Sequence, residues 1–540
     1  MTSNVLLGAV QVARRILSAH WGLVLVLLVA LGFRVAQLLW FHVFPAGDVF
    51  NFLMIAEGLP RLDYAPDEKR LPFYPLLTLL FHPFLDWEVA AVTVALLASL
   101  LSLVVLYALG RTLNLSRLSL ALALLLFQAQ PQFIVASTRG YADTTFVALV
   151  AGALLALCRS RTVRGALLTG VLLGAAATTR YEGMVVAAAL LLLWLLVPRV
   201  TRAHAVPPPG IRWAWSRRLP LVALAAAALT VVPYGALSAL NHRPLFGAGY
   251  LKQAQEEGYG VSNPRELWEN VRKVWTGAGL IDALPILRDA VREAVEDPFG
   301  IPRNFSDRIR EPYLGTSLLA LAGIATFLLR REFRVLLVLA VVLIALTLPL
   351  AWWVPLERFH VFVMPITTLL ATAGVSGLQS IVVHGTAGRF GPLLRRALGV
   401  VMLSLVVSLW VTSYAAQTRD RLKKHNGRDF AYYQAVHAAR SLPGVIVFDD
   451  LAHGFVNVYF QNRALPSTGV PSDDRTPRGM LAALRSRGAT YAVVAAGQER
   501  EFPFLSEPGV EVSATFEWPM VNEGVSRATI YQLRGATGQE

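Results

Sequence analysis

Apolar runs of about 20 residues recur along the chain up to about residue 415, and they constrain its fold more than any other feature. An α-helix rises 1.5 Å per residue, so about 20 apolar residues cross the roughly 30 Å hydrocarbon layer of a membrane. In this sequence 55% of the residues are hydrophobic and 16% are charged, whereas about a quarter of the residues of a typical soluble protein are charged. These features predict an α-helical polytopic membrane protein.

The hydropathy pattern predicts about eleven transmembrane helices. The segments at 165–179 and 183–197 are short, so their ends are the least sharply defined. The predicted spans are 21–41, 90–109, 117–136, 141–157, 165–179, 183–197, 219–240, 313–329, 335–353, 359–382 and 397–415.

Charges in the loops between these spans predict the orientation. Alternate loops are rich in Arg, as in 159–164 and 199–218, while the opposite loops hold most of the acids, as in 48–68 and 242–311. Because Lys and Arg collect on the cytoplasmic side, we expect a cytoplasmic N-terminus and an external C-terminus in a multi-pass protein of the plasma (inner) membrane. Scattered loop charge also explains the net charge of +14 without a nucleic-acid-binding surface.

The last 125 or so residues have a different pattern. Short apolar runs at 445–448 and 491–494 are bounded by Gly, Pro and Asp, as buried strands are, and helical patterns lie near 428–441 and 478–487. We therefore predict two domains. Residues 1–415 form the transmembrane domain, with external loops 42–89 and 241–312, and residues 416–540 form a small external α/β domain.

Several chemistries are excluded by the absence of their motifs. The single cysteine, Cys158, excludes an intrachain disulfide and a cysteine-cluster metal site. The sequence has no Walker loop and no Gly-x-Gly-x-x-Gly between a strand and a helix, so no motif indicates nucleotide chemistry.

Charged residues near the predicted outer ends of the spans are the candidates for a site. Asp48 follows the first span, and its alternative role is to cap the helix predicted over 49–60. Lys69 and Arg70 precede Leu71-Pro72-Phe73-Tyr74-Pro75, and they could instead anchor the loop to lipid head groups.

A second group lies at the outer ends of later spans. Arg139 and Asp143 are spaced for an ion pair within one helix, which is their alternative explanation. Arg180 and Glu182 are two positions apart and cannot face each other on a helix, so they belong to a turn or connect different spans. Arg358 has the alternative of a snorkelling anchor, and Arg34 lies deep in the first span with no obvious partner.

The order of these elements resembles a known class of enzymes. An apolar helix, an acid early in the first external loop, a basic residue before a Pro-Phe-Tyr-Pro stretch, many further spans and a terminal outer domain are similar to the GT-C membrane glycosyltransferases. Within that class the chain is most similar to glycosyltransferase family 39, which includes protein O-mannosyltransferases and the lipid A aminoarabinose transferase. The resemblance implies a polyprenyl-phosphate-linked sugar donor used on the non-cytoplasmic face.

Individual motifs carry the resemblance. Gly47-Asp48 matches the acidic position that the family uses as its presumed catalytic base, although Val49 stands where a second acid is frequent. Arg70 to Tyr74 resembles the family's basic-Pro-Pro-Leu-Tyr stretch, whose basic residue faces the donor phosphate, with Leu71 in place of one Pro. Asp143 matches an acid of the second loop, and 179–183 resembles a Thr-Arg-x-Glu-Gly element. Glu357-Arg358-Phe359 resembles an Arg-aromatic pair near the donor.

These matches imply a glycosyltransferase that moves a sugar to a hydroxyl or amine of a protein, lipid or glycan. We expect Asp48 and Asp143 to be catalytic, and either carboxylate is a candidate ligand of a divalent cation. We expect no other cofactor and no nucleic-acid partner. The residues expected to bind substrate or phosphate are Lys69, Arg70, Tyr74, Arg139 and Arg358. The alternatives are a transporter or lipid-linked sugar flippase, and a non-catalytic assembly protein.

Overall fold

The chain divides into two compact units, one of residues 1–34 with 58–419 and one of residues 35–57 with 420–540. The predicted domain boundary at residues 415 and 416 lies outside the described residues and stays a prediction. A computed structural model describes residues 2–40, 44–45, 47–64, 70–160, 162–200, 218–243, 261, 263–277, 280, 314–353, 357–385, 430–448, 456, 459–460, 463–467, 476–520 and 524–534.

Helices make up almost all of the membrane part of the chain that is described. The first helix departs from helical backbone angles at His20. The helices are α1 (Thr2–Trp40), α2 (Asp48–Gly58), α3 (Phe73–Phe81), α4 (Trp87–Thr112), α5 (Arg117–Gln128), α6 (Pro131–Thr138), α7 (Asp143–Arg159), α8 (Val163–Ala177), α9 (Tyr181–Val200), α10 (Arg218–Leu240), α11 (Pro264–Gly277), α12 (Leu314–Leu329), α13 (Phe333–Trp353) and α14 (His360–Gly385).

These helices confirm the prediction of a polytopic helical protein. Within the described residues, five helices are long and apolar enough to cross a membrane, or six if the bent pair α5 and α6 counts as one span. Shorter apolar stretches lie in α8, α9 and α12, over Val163–Ala177, Tyr181–Leu196 and Thr316–Leu329, and each coincides with a predicted span. The span predicted at 397–415 lies outside the described residues.

The span predicted at 117–136 is not one straight helix. The chain bends by 67° between α5 and α6. Pro131 opens α6, and Gln130 before it is extended, with φ −60° and ψ 125°. A proline disfavours helical angles at the residue before it, which explains why α5 ends at Gln128. The break places the end of α6 at Thr138, one short turn before α7.

Small residues allow two of the membrane helices to pack closely. A side chain added at Gly323 in α12 would meet the Leu370 backbone of α14, and one added at Gly374 in α14 would meet the Leu319 backbone of α12. Close backbone approach at small residues is a main source of helix association in membranes, where lipid removes the hydrophobic driving force.

Arg34 of α1 has polar partners that its sequence position does not reveal. Its Nε donates to Ser99 Oγ at 3.0 Å, and its Nη1 donates to the Ala30 carbonyl at 2.9 Å and to Gln128 Oε1 at 3.2 Å. The guanidinium also lies 5.2 Å from the ring centroid of Phe133. The buried cation therefore joins α1 to α4, α5 and α6.

Helix α11 lies in the loop predicted over residues 241–312. Its buried face packs on α13, where Asn270 donates to the Ala351 carbonyl and Trp275 Nε1 donates to Thr347 Oγ1, each at 3.0 Å.

The C-terminal part confirms the predicted α/β domain. Over the residues of this domain that the structure describes, five strands form one sheet in the order β2-β1-β3-β5-β4, with β1 parallel to β2 and β3, and β5 antiparallel to β3 and β4. Strands β1 and β3 and both helices fall where the sequence predicts them. The elements are α15 (Phe430–Ala439), β1 (Val445–Phe448), β2 (Ala464–Pro466), α16 (Pro477–Ser486), β3 (Ala489–Ala495), β4 (Val510–Met520) and β5 (Gly524–Leu533).

Candidate functional site

The turn between α8 and α9 positions Arg180. Thr178 and Thr179 direct their hydroxyls back to carbonyls of α8, at 2.9 Å from Gly174 and 2.7 Å from Ala175, and so compete with continuation of the helix. Gly183 allows a close approach, because a Cβ there would lie 2.8 Å from the Ala177 nitrogen. The short turn leaves Arg180 just outside α9.

Arg180 binds two carboxylates. Its Nη1 lies 2.8 Å from Asp143 Oδ1, and its Nε and Nη2 lie 3.2 Å from Glu182 Oε2 and Oε1, a bidentate pair. The side chains of Arg180, Asp143 and Glu182 are only 11%, 4% and 12% exposed. Arg180 therefore belongs to a turn and also connects two spans, so both sequence-based explanations apply.

Arg139 and Asp143 lie on different helices, since α6 ends before Arg139 and α7 begins at Asp143. An ion pair within one helix is therefore excluded as their explanation. Asp143 in the first turn of α7 also interacts favourably with the positive end of the helix dipole.

Aromatic rings bring Arg358 to the same place. The Arg180 guanidinium carbon lies 4.7 Å from the Phe359 ring centroid and 4.6 Å from that of Phe362. Arg358 also lies 4.7 Å from the Phe359 centroid, and 5.6 Å from that of Tyr141. Two guanidinium groups thus contact one phenyl ring before α14, and cation–π contacts of this kind stabilise the charges at low hydration.

Hydrogen bonds connect the stretch after Arg70 to the Arg180 cluster, which consists of Arg180, Asp143, Glu182 and Arg358. The Phe73 amide donates to the Thr178 carbonyl at 3.0 Å, which joins the start of α3 to the turn that carries Arg180. The fully buried Tyr74 hydroxyl lies 2.5 Å from the Gly140 carbonyl and 2.9 Å from the Ala91 carbonyl. These contacts of Tyr74 are structural, and its predicted contact with substrate stays a prediction.

Glycine is favoured at position 140, at the junction of α6 and α7. Its φ is +80°, and a Cβ there would lie 3.3 Å from backbone atoms of Ala91 and Val92 in α4. The residue therefore turns the chain from α6 to α7 directly against α4.

The backbone of Arg70 is held by a tyrosine that the sequence analysis missed. The Tyr64 hydroxyl donates to the Arg70 carbonyl, and the Arg243 guanidinium lies 3.8 Å from the Tyr64 ring centroid. Asn241 fixes the same loop, because it accepts from the Tyr64 amide at 3.2 Å and donates to the Leu62 carbonyl at 2.9 Å. Burial raises the pKa of the Tyr64 phenol, so the hydroxyl stays protonated and remains a donor. Polar Asn241 and Arg243 just after an apolar helix were the available sequence signal.

Asp48 belongs to the other unit. It lies in the first turn of α2 and is partly exposed, after Gly47 in the left-handed region with φ +59°. A carboxylate at this position suits a helix N-terminus, and this is compatible with its predicted chemistry, which stays a prediction. Lys69 lies outside the described residues. The convergence of Asp48 and Lys69 with the Arg180 cluster stays a prediction.

A divalent cation does not fit Asp143. Its Oδ1 is engaged by the Arg180 guanidinium at 2.8 Å, and a second cation beside that group would be repelled. Among the residues that the structure describes, no group of three His, Cys, Asp or Glu side chains is placed to hold a metal ion. A divalent cation at Asp48, the other predicted metal ligand, stays a prediction.

Comparison with known proteins agrees with the resemblance. Residues 72–235 match the family model described as dolichyl-phosphate-mannose-protein mannosyltransferase. ArnT from Cupriavidus metallidurans, in a crystal structure bound to undecaprenyl phosphate, superposes with a TM-score of 0.55 at 15% identity over 96% of this chain and 99% of that chain. The chain has the GT-C fold.

The same ArnT in its apo state gives a TM-score of 0.55 at 14% identity, over 96% of this chain and 100% of that chain. An oligosaccharyltransferase from Archaeoglobus fulgidus is a more distant match, with a TM-score of 0.47 at 12% identity over 90% of this chain and 70% of that chain. No curated protein sequence matches the chain. The family match contains Tyr74, Asp143 and Arg180, and it stops short of Asp48, Arg70 and Arg358.

Proposed function

We propose that the protein is a membrane glycosyltransferase that transfers a sugar from a polyprenyl-phosphate donor to an acceptor hydroxyl or amine on the non-cytoplasmic face. The polyprenyl phosphate is the leaving group, so the reaction needs no nucleotide. In-line attack on the anomeric carbon breaks its bond to the phosphate oxygen and inverts the centre in a single displacement. The acceptor is a protein, a lipid or a glycan.

Asp48 is the proposed general base. The acceptor must lose a proton as its oxygen or nitrogen bonds to the anomeric carbon, and a carboxylate in hydrogen-bond reach accepts that proton. Asp48 is partly exposed in the first turn of α2. No second acid follows it, because the next residue is Val49.

Arg358 and Arg70 are the proposed phosphate ligands, with Lys69 and Arg139 as further cations around the head group. Negative charge grows on the phosphate as the sugar leaves, and fixed guanidinium groups stabilise it more in the transition state than in the donor. Arg358 is half-buried on the Phe359 and Tyr141 rings, so its position is set before the donor arrives.

Asp143 is proposed as a positioning residue through Arg180. The carboxylates of Asp143 and Glu182 balance the Arg180 charge and fix the turn between α8 and α9. That turn lies on the Phe359 ring that Arg358 also contacts. Asp143 and Glu182 therefore fix the turn and the ring that lie beside the proposed phosphate site.

One observation carries the proposal. The stretch before α3, the turn between α6 and α7, the turn between α8 and α9, and the start of α14 meet in one charged cluster. The Phe73–Thr178 and Tyr74–Gly140 bonds bring the Arg70 stretch to it. The chain also shares its fold with ArnT, a structure of which contains undecaprenyl phosphate, and this supports a donor of the same chemistry.

The test is Asp48→Asn in membranes supplied with a polyprenyl-phosphate sugar and an extract of potential acceptors. We expect transfer to fall by about a hundredfold or more, within the range of general base catalysis. Glu57→Gln, a carboxylate change at the other end of α2, is the matched control and should keep wild-type transfer. Undiminished transfer by Asp48→Asn at normal expression would exclude Asp48 as the base.

A further inference from the structure

A continuous run of aromatic rings in the second unit begins and ends beside Asp48. Phe44 stacks on Tyr433 with centroids 4.5 Å apart, Tyr433 contacts His437 at 4.5 Å, and His437 contacts Tyr459 at 5.2 Å. Tyr459 then meets Phe50 edge-on at 6.2 Å. The two ends of the run are the aromatic residues four positions before and two positions after Asp48.

The middle of the run belongs to the C-terminal domain. Tyr433 and His437 are one helical turn apart on α15, so one face of that helix presents both rings. Phe430 on the same helix lies 6.0 Å from Phe44 and meets Trp518 of β4 edge-on at 4.9 Å. The contact therefore continues from the first external segment through α15 into the sheet.

The contact is buried and closely fitted. Phe44 is 8% exposed and Phe50 is fully buried. The Arg440 guanidinium, also from the C-terminal part, lies 4.0 Å from the Tyr459 ring centroid. Residues 35–57 accordingly group with residues 420–540 and separately from the remaining membrane helices.

We propose that the C-terminal domain positions the catalytic base, and that Tyr433, His437 and Tyr459 are positioning residues for Asp48. The proposal rests on the proposed function, in which Asp48 takes the acceptor proton. Asp48 is partly exposed and follows a glycine in the left-handed region, and an isolated helix as short as α2 is only marginally stable. Rings at both flanks fix the start of α2 to a folded domain.

The test is steady-state transfer by full-length Tyr433→Ala and Tyr459→Ala. A base displaced by about 1 Å costs up to about a hundredfold in rate, so we expect kcat to fall about tenfold to a hundredfold. The KM for the polyprenyl-phosphate donor should stay within about twofold, because the phosphate ligands are elsewhere. Tyr433→Phe retains the ring and should keep kcat within about twofold of the wild type. Equal losses in Tyr433→Phe and Tyr433→Ala would overturn the role of the ring.

Double variants separate positioning from general destabilisation. In an Asp48→Asn background, Tyr433→Ala should change the residual rate by less than about twofold, because there is no base left to position. A full multiplicative loss would show that Tyr433 acts by another route and would overturn the proposal. The matched control is Phe504→Ala, which weakens the other apolar cluster of the same domain, around Val447, Leu481 and Phe502, and should leave kcat of the folded fraction unchanged.

Two outcomes distinguish this inference from the proposed function. If Asp48→Asn loses transfer while folded Tyr433→Ala keeps the wild-type kcat, the positioning role is wrong and the base remains. If Asp48→Asn transfers normally, the proposed base is itself wrong. Should Tyr433→Ala fail to fold, His437→Leu breaks the same run of rings in a smaller step, and the same kcat criteria decide.

Discussion

Arg180 and Asp143 lie 37 positions apart in the chain, and their side chains meet at 2.8 Å. The bond joins the turn before α9 to the first residue of α7. Since Arg180 also forms a bidentate pair with Glu182 and contacts the Phe359 ring, this one guanidinium fixes three helix ends relative to one another.

Replacing Arg180 should destabilise the membrane unit strongly. Arg180→Gln leaves two buried carboxylates without their cation, and removal of one partner of a buried pair costs about 3–5 kcal/mol. We expect a lower unfolding temperature in detergent, measured by intrinsic fluorescence. The exposed pair Arg265–Glu269 at 3.3 Å is the matched control, and Arg265→Gln should cost under about 1 kcal/mol. Similar losses in both variants would contradict a special role for the buried pair.

Arg358→Ala should weaken use of the donor. A charge-assisted contact to phosphate is worth about 1.5–3 kcal/mol, so donor KM should rise about tenfold to a hundredfold. Arg358→Lys keeps the charge but loses the planar group on the aromatic rings, and it should restore only part of the affinity. Titration of a polyprenyl-phosphate sugar at saturating acceptor measures the change. An unaltered donor KM in Arg358→Ala would remove Arg358 from the phosphate site.

Gly140→Ala should destabilise the protein more than Gly497→Ala, in which the new side chain meets backbone strain but no neighbouring atoms. Both Gly140 and Gly497 have positive φ, at 80° and 90°, but only Gly140 has backbone atoms within 4 Å of an added Cβ. Gly497→Ala therefore measures the left-handed strain, about 1–2 kcal/mol, and Gly140→Ala adds the displacement of α4. Each variant is compared with the wild type by thermal unfolding. Equal losses would show that the Ala91–Val92 contact has no cost.

Glu332 gives a pH dependence with a defined sign. Burial raises the pKa of its carboxyl above the ordinary 4.5, and Arg330 opposes this to a smaller extent. The folded state then holds the proton more tightly, so its contribution to stability is present below pH 4.5 and is lost as pH rises through the folded pKa. Glu332→Gln should therefore raise the unfolding temperature at neutral pH and leave it unchanged near pH 4. A variant less stable than the wild type at neutral pH would contradict this sign.

Most of the fold could be predicted from apolar periodicity alone. Helices α4, α8, α9 and α10 begin and end within a few residues of the predicted spans, because hydrocarbon thickness fixes their length. The bend between α5 and α6 was missed although Pro131 marks it, because an apolar run remains continuous through the proline. The β4–β5 hairpin was also missed, although its alternating residues, as in Val510-Glu511-Val512, carry the signal.

The site could be predicted only by residue type. Asp143, Arg180 and Arg358 were recognised as charges at helix ends, but the pairing of Arg180 with Asp143 depends on how α7 and α9 pack. Likewise, Ser99 and Gln128 as partners of Arg34 come from helices far along the chain. Sequence spacing constrains neighbours within one helix, and it carries no information about contacts between helices. The grouping of residues 35–57 with the C-terminal domain is of the same kind.

Consumption of a polyprenyl-phosphate sugar by the protein is measured most directly through the lipid product. Purified protein in sealed proteoliposomes receives donor labelled in both sugar and lipid, with acceptor added outside. We expect free polyprenyl phosphate to appear in an amount equal to the sugar transferred, and Asp48→Asn to lower both by about a hundredfold or more. Intact labelled donor that crosses to the opposite leaflet without being consumed would contradict the account and identify a flippase.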